Sequence, residues 1–350
     1  MNIPLESPPV PRSPWQWVYG QAHRARHRWY QNRAKALPRP VVSVGNLHWG
    51  GSGKTPFAAA VAAHLRDAGL AVAILSRGYG SRGEGVRIVS RGQGPLLGPR
   101  IAGDEPVHLA GMLPGVSVVV CGDRHRAGVH ALERLEPAPQ VFVLDDGFSH
   151  LRLARDLDIL VFPAEDPFAG GKLAPGGRLR EPLASTSRAD AVVLAGAEVA
   201  EEGGLQLARS LRRHGFAGQG FVSRTVADAP RSVGPGGEVD PGGSVLVVCA
   251  IARPERFFVS VRRAGLDIAD HLTFADHHRY PEASLAKITA AFQATGAAAV
   301  VTTGKDAVKL RGRLDIPVIE IPVRARPESG FEHWLDERLR RLGVDIPEPG

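Results

Sequence analysis

Hydrophobic positions along the chain fall into short apolar runs that alternate with segments of helical periodicity. Runs such as "PVVSVGNL", "AVAILS", "VSVVVCG", "QVFVLDD", "LDILVFPA" and "ADAVVLAG" have the length of buried strands, and each is followed by glycine or polar residues. Helical segments such as "TPFAAAVAAHLRDAGL" and "EPVHLAGML" lie between them. Continuous apolar strands joined through helices are typical of parallel sheets. We therefore expect an α/β fold, with a mostly parallel sheet and helices on both faces.

The pattern changes near residue 217, where an alternating strand, "GFVSRTV", precedes a Pro/Gly-rich stretch. A second α/β pattern follows it, and "IPVIEIPVRA" then alternates again. This order predicts a smaller second α/β domain joined to the first by a two-stranded linker. The predicted boundaries are an N-terminal helix at 1–39, a core at 40–216, linker strands at 217–229 and 314–325, a smaller domain at 230–313 and a C-terminal helix at 326–350.

The composition, with 43% hydrophobic and 23% charged residues, is that of a globular protein. The two cysteines, Cys121 and Cys249, both lie in apolar runs, so we expect buried thiols in a reducing compartment. No signal-peptide pattern opens the chain, and no apolar run approaches the roughly 18 residues that span a bilayer. These features predict a soluble or peripheral protein.

The positive charge is concentrated at the N-terminus. The net charge is +7, and residues 1–40 hold seven Arg and Lys side chains against Glu6 alone. A nucleic-acid-binding enzyme more often spreads its basic residues over the fold, so we expect no nucleic-acid partner.

The basic segment also has a helical stripe. Trp15, Val18, Tyr19, Ala22 and Trp29 are spaced to share one helix face. Ser13 fits an N-cap with Pro14 at the first helical position, and Pro38 is expected to end the helix. Aromatic and basic side chains together suit the surface of an anionic membrane. The alternative is a terminal helix whose stripe docks on the protein's own core.

A glycine-rich loop, "VGNLHWGGSGKTP", follows the first apolar strand of the core. It ends like a phosphate-binding loop, G-x-x-x-x-G-K-[ST], but residue 48, where the first glycine belongs, is His. Backbone N–H groups and a helix N-terminus bind phosphate in such loops, and Gly50, Gly51 and Gly53 supply the freedom required. The missing glycine affects only the entry bend, where Gly45 is available. We therefore predict a nucleotide site.

Asp145 and Asp146 come directly after the strand "VFVL". Two adjacent carboxylates at a buried strand end are costly unless a cation neutralises them, and a P-loop enzyme needs such a carboxylate for Mg²⁺. The alternative is a simple Asp-Asp-Gly turn.

Two further groups of residues suggest proton chemistry. Asp104 and Glu105 stand at a helix start, where an N-cap is the alternative for Asp104. Asp276, His277 and His278 precede another helix, where a polar turn or a zinc site is the alternative.

With these motifs in order, the chain resembles the tetraacyldisaccharide 4'-kinase family, the lipid A 4'-kinases of Gram-negative bacteria. The resemblance covers nearly the whole length and rests on "SVGNLHWGGSGKTP", "LSRGYG", "GDEP", "DDGFSH", "LAPGGRLREP", "FADHH" and "VTTGKDAVK". The family loop also lacks the first glycine. The family usually has Gln where this chain has Ser149, which puts any role of that position in doubt. A guanine-binding reading of "GKD" is discounted because Lys305 and Asp306 are adjacent.

The resemblance implies transfer of the γ-phosphate of ATP to the 4'-hydroxyl of tetraacyldisaccharide 1-phosphate, giving the 1,4'-bisphosphorylated lipid A precursor. It implies ATP and Mg²⁺ as cofactors. Asp104 would accept the hydroxyl proton, with His277 orienting Asp104 or raising its basicity. The implied ATP-binding residues are His48, Trp49, Gly50, Gly51, Ser52, Gly53, Lys54 and Thr55; the implied Mg²⁺ ligands are Thr55, Asp145 and Asp146; the candidate phosphate or substrate contacts are Glu105, Arg124, Arg178 and Arg180.

The implied substrate is an acylated disaccharide phospholipid, so the resemblance places the enzyme at the cytoplasmic face of the inner membrane, attached through its N-terminal helix. For the three arginines, ordinary surface positions are the alternative. Two other functions stay open: a P-loop kinase or ligase acting on a soluble small molecule, and a membrane-peripheral regulatory NTPase.

Overall fold

The structure is a computed structural model, and it describes residues 14–234 and 243–347 of the 350-residue chain. Its strands, in chain order, are β1 Val41–Gly45, β2 Val72–Ser76, β3 Arg87–Arg91, β4 Ser117–Val120, β5 Val141–Asp145, β6 Leu157–Pro163, β7 Ala191–Gly196, β8 Gln219–Ala227, β9 Arg231–Ser232, β10 Ser244–Cys249, β11 Asp267–Thr273, β12 Ala299–Thr303, β13 Val318–Ile321 and β14 Val323–Pro327.

The α-helices connect these strands and flank both ends of the described chain. They are α1 Pro14–Gln31, α2 Lys54–Asp67, α3 Pro99–Ala102, α4 Asp104–Met112, α5 Arg124–Arg134, α6 Gly203–Leu211, α7 Pro254–Arg263, α8 Glu282–Thr295, α9 Gly304–Leu310 and α10 Ser329–Arg341. Short 3₁₀ segments occupy Ala169–Gly171, Leu183–Arg188 and Arg212–His214.

A nine-stranded sheet forms the larger part of the molecule, in the order β14-β8-β7-β6-β1-β5-β2-β4-β3. All neighbouring strands in it are parallel except the two edge pairs, β3 with β4 and β14 with β8. The central strands are buried on both faces, and hydrophobic clusters lie on each side of the sheet. The predicted α/β architecture with a mostly parallel sheet is confirmed.

The second sheet has five strands in the order β11-β10-β12-β13-β9. Its strands are parallel except for β9, and α7, α8 and α9 supply its helical layers. It has apolar clusters of its own on its two faces. A second, smaller α/β unit is therefore present, as the sequence pattern predicts.

The two segments predicted as a linker enter the sheets themselves. β8 pairs antiparallel with β14, but β8 also pairs parallel with β7, so both strands extend the large sheet. β13, which lies within the range 314–325, pairs with β12 of the smaller sheet instead. The exact domain boundaries stay a prediction.

The N-terminal helix differs in two ways from its predicted form. α1 ends at Gln31, well before Pro38, and the proposed N-cap Ser13 lies outside the described residues. The predicted apolar stripe is also divided between two surroundings: Tyr19 is half-buried against the core, whereas Val18 and Trp29 are exposed. The stripe therefore does not dock as one unit.

Cys121 and Cys249 are both buried free thiols, as their apolar surroundings predict. Within the described part of the chain, no helix combines the length and the apolar character needed to cross a bilayer.

Candidate active site

The polar motifs meet at the carboxyl ends of the central strands of the large sheet. The glycine loop follows β1, and Asp145 ends β5, which is the parallel neighbour of β1. Arg124 begins α5 just after β4. In open parallel sheets this edge is where ligands bind.

The glycine loop leads directly into α2. Gly53 is the N-cap of that helix and has φ +86°, and Gly50 has φ +91°, both in the region that favours glycine. Inside the loop, Asn46 Nδ2 donates a hydrogen bond of 2.6 Å to Ser52 Oγ, and both side chains are buried. The loop thus presents the free N–H groups of a helix start to the cleft, which is the geometry that binds phosphate.

Gly45 lies at a close contact between two segments that the sequence did not indicate. A Cβ built on Gly45 would lie 2.5 Å from Cβ of Phe148. The glycine therefore permits close approach of the segment after β5 to the end of β1, which holds the two motifs together.

His48 and Trp49 have opposite environments. The His48 ring is buried against Phe162, at 5.7 Å between ring centroids, and burial lowers the pKa of His48 to about 4. Trp49 is 60% exposed, and the guanidinium of Arg180 lies over its ring at 5.5 Å. Of these two side chains, only that of Trp49 is available to a ligand in solution.

Asp145 faces the start of α2. The Thr55 hydroxyl donates a hydrogen bond of 3.2 Å to Asp145 Oδ1, which is fully buried. Burial and the neighbouring charge of Glu105 raise the pKa of Asp145 well above its usual range, although Lys54 opposes them. The positive charge of Lys54 therefore offsets only part of the effect of burial on this carboxyl group.

Asp146 turns away to a different partner. Its backbone has φ +56°, an uncommon value for a residue with a side chain, and Arg180 donates to both of its carboxylate oxygens, at 2.9 and 3.2 Å. Arg180 also hydrogen-bonds to Asn46 of the glycine loop. The pKa of Asp146 is lowered because Lys54 and Arg180 outweigh the effect of burial.

Asp104 and His277 are in direct contact, although they lie 173 positions apart. His277 Nδ1 lies 3.0 Å from Asp104 Oδ2 and 3.2 Å from Oδ1. Asp104 is the first residue of α4, with Gly103 at the N-cap position, and its Oδ1 also accepts from the N–H of Glu105 at 3.0 Å. His277 has φ +61°, a second uncommon backbone conformation at the site.

The charges around this pair favour its ionised form. Burial raises the pKa of Asp104, but the hydrogen bond from His277 and the charges of Lys305, His277 and Lys309 outweigh it and leave the pKa at about 2. The bond to Asp104 raises the pKa of His277. The contact fits an orienting role for His277, while the lowered pKa of Asp104 gives no support for a raised basicity, and both roles stay predictions.

Two lysines of α9 complete this group and were not assigned from the sequence. Lys305 Nζ lies 3.2 Å from Glu105, and Lys309 Nζ lies 3.5 Å from Asp104. Both belong to "VTTGKDAVK", which carried the family resemblance without suggesting a role for either lysine. Among the described residues, no three His, Cys, Asp or Glu side chains converge as a metal-binding group.

The arginine candidates differ in how deeply they are buried. Arg124 is buried, with the charges of Asp145 and Asp146 close enough to affect its pKa, which burial lowers. Arg178 pairs with Asp166 and is 47% exposed. The surface alternative is therefore wrong for Arg124 and for the largely buried Arg180, whereas Arg178 is exposed, as that alternative expects.

The N-terminal helix reaches the same region through Glu181. His23 of α1, the Ser149 hydroxyl and Arg188 contact the buried carboxylate of Glu181 at 2.9, 2.5 and 2.5 Å. Tyr19 also donates to the backbone oxygen of Arg180, at 3.0 Å. Ser149 thus has a definite hydrogen-bond partner, and α1 is tied to the segment that carries Arg180.

The glycine loop after β1, the helix that starts at its lysine and the carboxylate at the end of adjacent β5 define a P-loop enzyme of the kinase type. A model of the family "Tetraacyldisaccharide-1-P 4'-kinase" matches residues 12–340. Two relatives, each named tetraacyldisaccharide 4'-kinase, come from Geobacter metallireducens (46% identity, covering 79% of this chain and 80% of the relative) and Geobacter sulfurreducens (42% identity, covering 92% and 91%).

A solved structure, the "apo" form of LpxK from Aquifex aeolicus in complex with ATP, matches with a TM-score of 0.72 and 31% identity, covering 95% of this chain and 98% of that one. The chain belongs to the tetraacyldisaccharide-1-P 4'-kinase family.

Proposed function

We propose that this protein transfers the γ-phosphate of ATP to the 4'-hydroxyl of tetraacyldisaccharide 1-phosphate. The observation that carries the proposal is the contact between Asp104 and His277, at 3.0 Å. Glu105 follows Asp104 directly, and its charge acts on Asp145 at the end of β5. The electrostatic effect of Glu105 on Asp145 supports a proton-accepting pair close to the end of β5.

The glycine loop would bind the nucleotide. The N–H groups at the start of α2 and the Lys54 ammonium would hold the β- and γ-phosphates, as in other P-loop proteins. Arg256 of α7 donates to the backbone oxygen of Gly51 at 3.4 Å, so the smaller domain reaches over the loop. Covering the loop in this way would exclude water from the γ-phosphate and favour transfer to the sugar over hydrolysis.

Asp104 would receive the proton of the acceptor. The 4'-oxygen forms a bond to the γ-phosphorus, the bond from that phosphorus to the β,γ-bridging oxygen breaks, and ADP leaves. Because phosphoryl transfer has a loose transition state, the hydroxyl needs orientation more than early deprotonation. The carboxylate of Asp104, which His277 keeps ionised and oriented, would accept a hydrogen bond and then the proton from that hydroxyl.

The residues at the end of β5 fit Mg²⁺. This ion prefers hard oxygen ligands and is usually bound through one or two carboxylates, with substrate phosphates and water completing the shell. Asp145 and Thr55 supply a carboxylate and a hydroxyl in contact with each other, and a cation there would offset the burial of Asp145. Bound Mg²⁺ would neutralise charge on the β- and γ-phosphates. Asp146 would act through Arg180 in this arrangement.

The lipid substrate requires access to a membrane surface, and we propose that α1 provides it at the cytoplasmic face of the inner membrane. Trp17 and Trp29 of α1 are 65% and 60% exposed, and Arg24 and Arg28 are exposed on the same helix. The opposite side of α1 is held by Tyr19 and His23. Each basic side chain near an anionic surface contributes about 1 kcal/mol, which suits reversible attachment.

The deciding experiment follows labelled γ-phosphate from ATP to purified disaccharide lipid. We expect a doubly phosphorylated lipid, formed only when lipid, ATP and Mg²⁺ are all present. Transfer to a soluble sugar or amino acid in place of the lipid would favour the small-molecule kinase or ligase. ATP hydrolysis without any labelled acceptor would favour the regulatory NTPase.

A further inference from the structure

Lys305 stands between the two domains at the centre of the charged group around His277. Its Nζ lies 3.2 Å from Oε1 of Glu105 on α4, 3.4 Å from Oδ1 of Asp276 and 3.3 Å from Nε2 of His277. The Lys305 side chain is only 18% exposed. The ammonium group of Lys305 therefore links Glu105 of the large domain to Asp276 and His277 of the small domain.

The placement of Lys305 depends on close contact between α4 and α9. Gly304 begins α9, and a Cβ added there would lie 2.2 Å from Cε1 of His108 on α4. The start of α9 is further fixed by Thr303, whose hydroxyl accepts from the N–H of Asp306 at 3.2 Å. The backbone next to Lys305 is thus held against α4, and the long side chain has little freedom to choose other partners.

The two ring nitrogens of His277 have different surroundings. Nδ1 faces the carboxylate of Asp104, while Nε2 faces the ammonium of Lys305. When the imidazole of His277 is neutral, a hydrogen bond from Lys305 to Nε2 requires that this nitrogen carries no proton. The single proton then lies on Nδ1, from which it is donated to Asp104.

We propose that Lys305 is a positioning residue for the reaction: it holds His277 and Glu105 together across the interdomain cleft and directs Nδ1 of His277 toward Asp104. This inference rests on the proposed kinase function, since Asp104 is the proton acceptor there. Lys305 contacts neither ATP nor the sugar in this role and acts through His277.

All charged groups that face His277 are consistent with such a role. Asp104 of α4, Lys305 of α9 and Asp276 of the same loop lie against the imidazole, and the Tyr79 ring lies 5.2 Å from it. Glu105 pairs with Lys305, and Lys309 pairs with Asp104. Lys305 is the cation in hydrogen-bond range of the imidazole, and its charge lowers the pKa of His277 against the effect of Asp104. Loss of Lys305 should therefore raise that pKa.

The test compares Lys305→Met with Lys287→Met, which removes an exposed lysine from α8 of the same domain. We expect Lys305→Met to lower kcat for lipid phosphorylation on the order of 10- to 100-fold, with KM for ATP within about threefold of wild type. Lys305→Arg should recover part of kcat because it keeps a cation. Lys287→Met should match wild type in both constants.

A second measurement needs no turnover. In protein labelled with ¹⁵N-histidine, the His277 signals are assigned by their loss in His277→Gln, and the ring is titrated by NMR. We expect the His277 midpoint to rise by roughly 0.5–1 pH unit in Lys305→Met and to stay in place in Lys287→Met.

An unchanged kcat in Lys305→Met would overturn the inference, and so would a lower kcat with an unmoved His277 midpoint. If Lys305→Met fails to fold, the test compares Lys305→Arg with Lys287→Arg. The inference then requires that kcat falls in Lys305→Arg and stays at the wild-type value in Lys287→Arg. Wild-type protein that transfers no phosphate to the lipid would contradict the proposed function, and the titration would still decide the role of Lys305.

Discussion

His277 of the smaller domain directs its Nδ1 at Asp104 of the larger domain, 3.0 Å away, and so joins two residues that are 173 positions apart in the chain. The contact exists only when the two domains lie against each other. The acceptor side of the proposed reaction is therefore assembled by the approach of the domains, while the glycine loop belongs to the large domain alone.

The first prediction concerns this pair as a catalytic unit. Asp104→Ala and His277→Ala should each lower kcat on the order of 10²–10⁴-fold, with a much smaller effect on ATP binding, because the pair acts on the acceptor hydroxyl. If the two act as one unit, the double variant should lose little more than the worse single variant. Multiplicative losses in steady-state kinetics would show independent roles and remove the orienting role of His277.

The second prediction concerns the glycine loop. Lys54→Ala should lower kcat at least on the order of 10²–10³-fold, because a cation facing the transferred charge is lost. Its melting temperature should stay near that of wild type, since Lys54 has no part in the apolar clusters of the core. Lys287→Ala, an exposed lysine on α8, is the matched control. A folded Lys54→Ala protein with full activity would end the P-loop assignment.

The third prediction separates the two adjacent aspartates. Asp145→Asn should raise the Mg²⁺ concentration needed for half-maximal rate, because Asp145 is the carboxylate beside Thr55. Asp146→Asn should lower turnover with a smaller change in Mg²⁺ dependence, because its carboxylate binds Arg180. Asp267→Asn, an exposed position on β11, controls for loss of charge. Equal Mg²⁺ dependence in Asp145→Asn and wild type would exclude Asp145 as a ligand.

The fourth prediction concerns stability and pH. The folded pKa of His277 is raised, so its contribution is complete below the ordinary value of 6.5 and is lost as the pH rises through the folded-state pKa. The folded pKa of Asp104 is about 2, so its contribution is present above 3.8 and is lost as the pH falls through about 2. The pair should therefore stabilise the protein most between those two ordinary values.

The corresponding measurement is the melting temperature of wild type and His277→Ala across this range. The difference between them should be largest at about pH 4–6.5 and should shrink as the pH rises through the folded-state pKa of His277. A difference that grows at alkaline pH would contradict the ion pair.

The fifth prediction concerns α1. Replacing the exposed Arg24 and Arg28 with Gln should weaken binding to anionic vesicles by roughly 30-fold, from about 1 kcal/mol for each charge, and wild-type binding should fall as salt rises. Trp17→Ala and Trp29→Ala should also weaken vesicle binding but hardly change the melting temperature, since both rings are largely exposed. Wild-type binding that is absent or insensitive to salt would exclude electrostatic attachment.

The amino-acid sequence was sufficient to predict those parts of the fold that depend on local pattern. Apolar runs such as Val141–Asp145 predict strands buried on both faces, because the period and composition of a segment decide which of its sides avoid water. The glycine loop, its lysine and the carboxylates after β5 were also readable, because their spacing is set within one strand, one loop and one helix. Asp104 and His277 were predicted to act as a pair only through the family resemblance.

Only the tertiary structure decided which of these groups touch. Asp145 faces Thr55 and Asp146 faces Arg180, a division that depends on a backbone φ of +56° at Asp146 and on the segment around Arg180 packing against the loop. Lys305 lies close to α4 because Gly304, which has no side chain, allows α9 to approach His108. Such contacts arise between residues far apart in the chain, and local hydrophobic periodicity has no information about them. Hydrophobic periodicity indicates that one face of an element is buried. The packing of the two sheets determines which residues that face contacts.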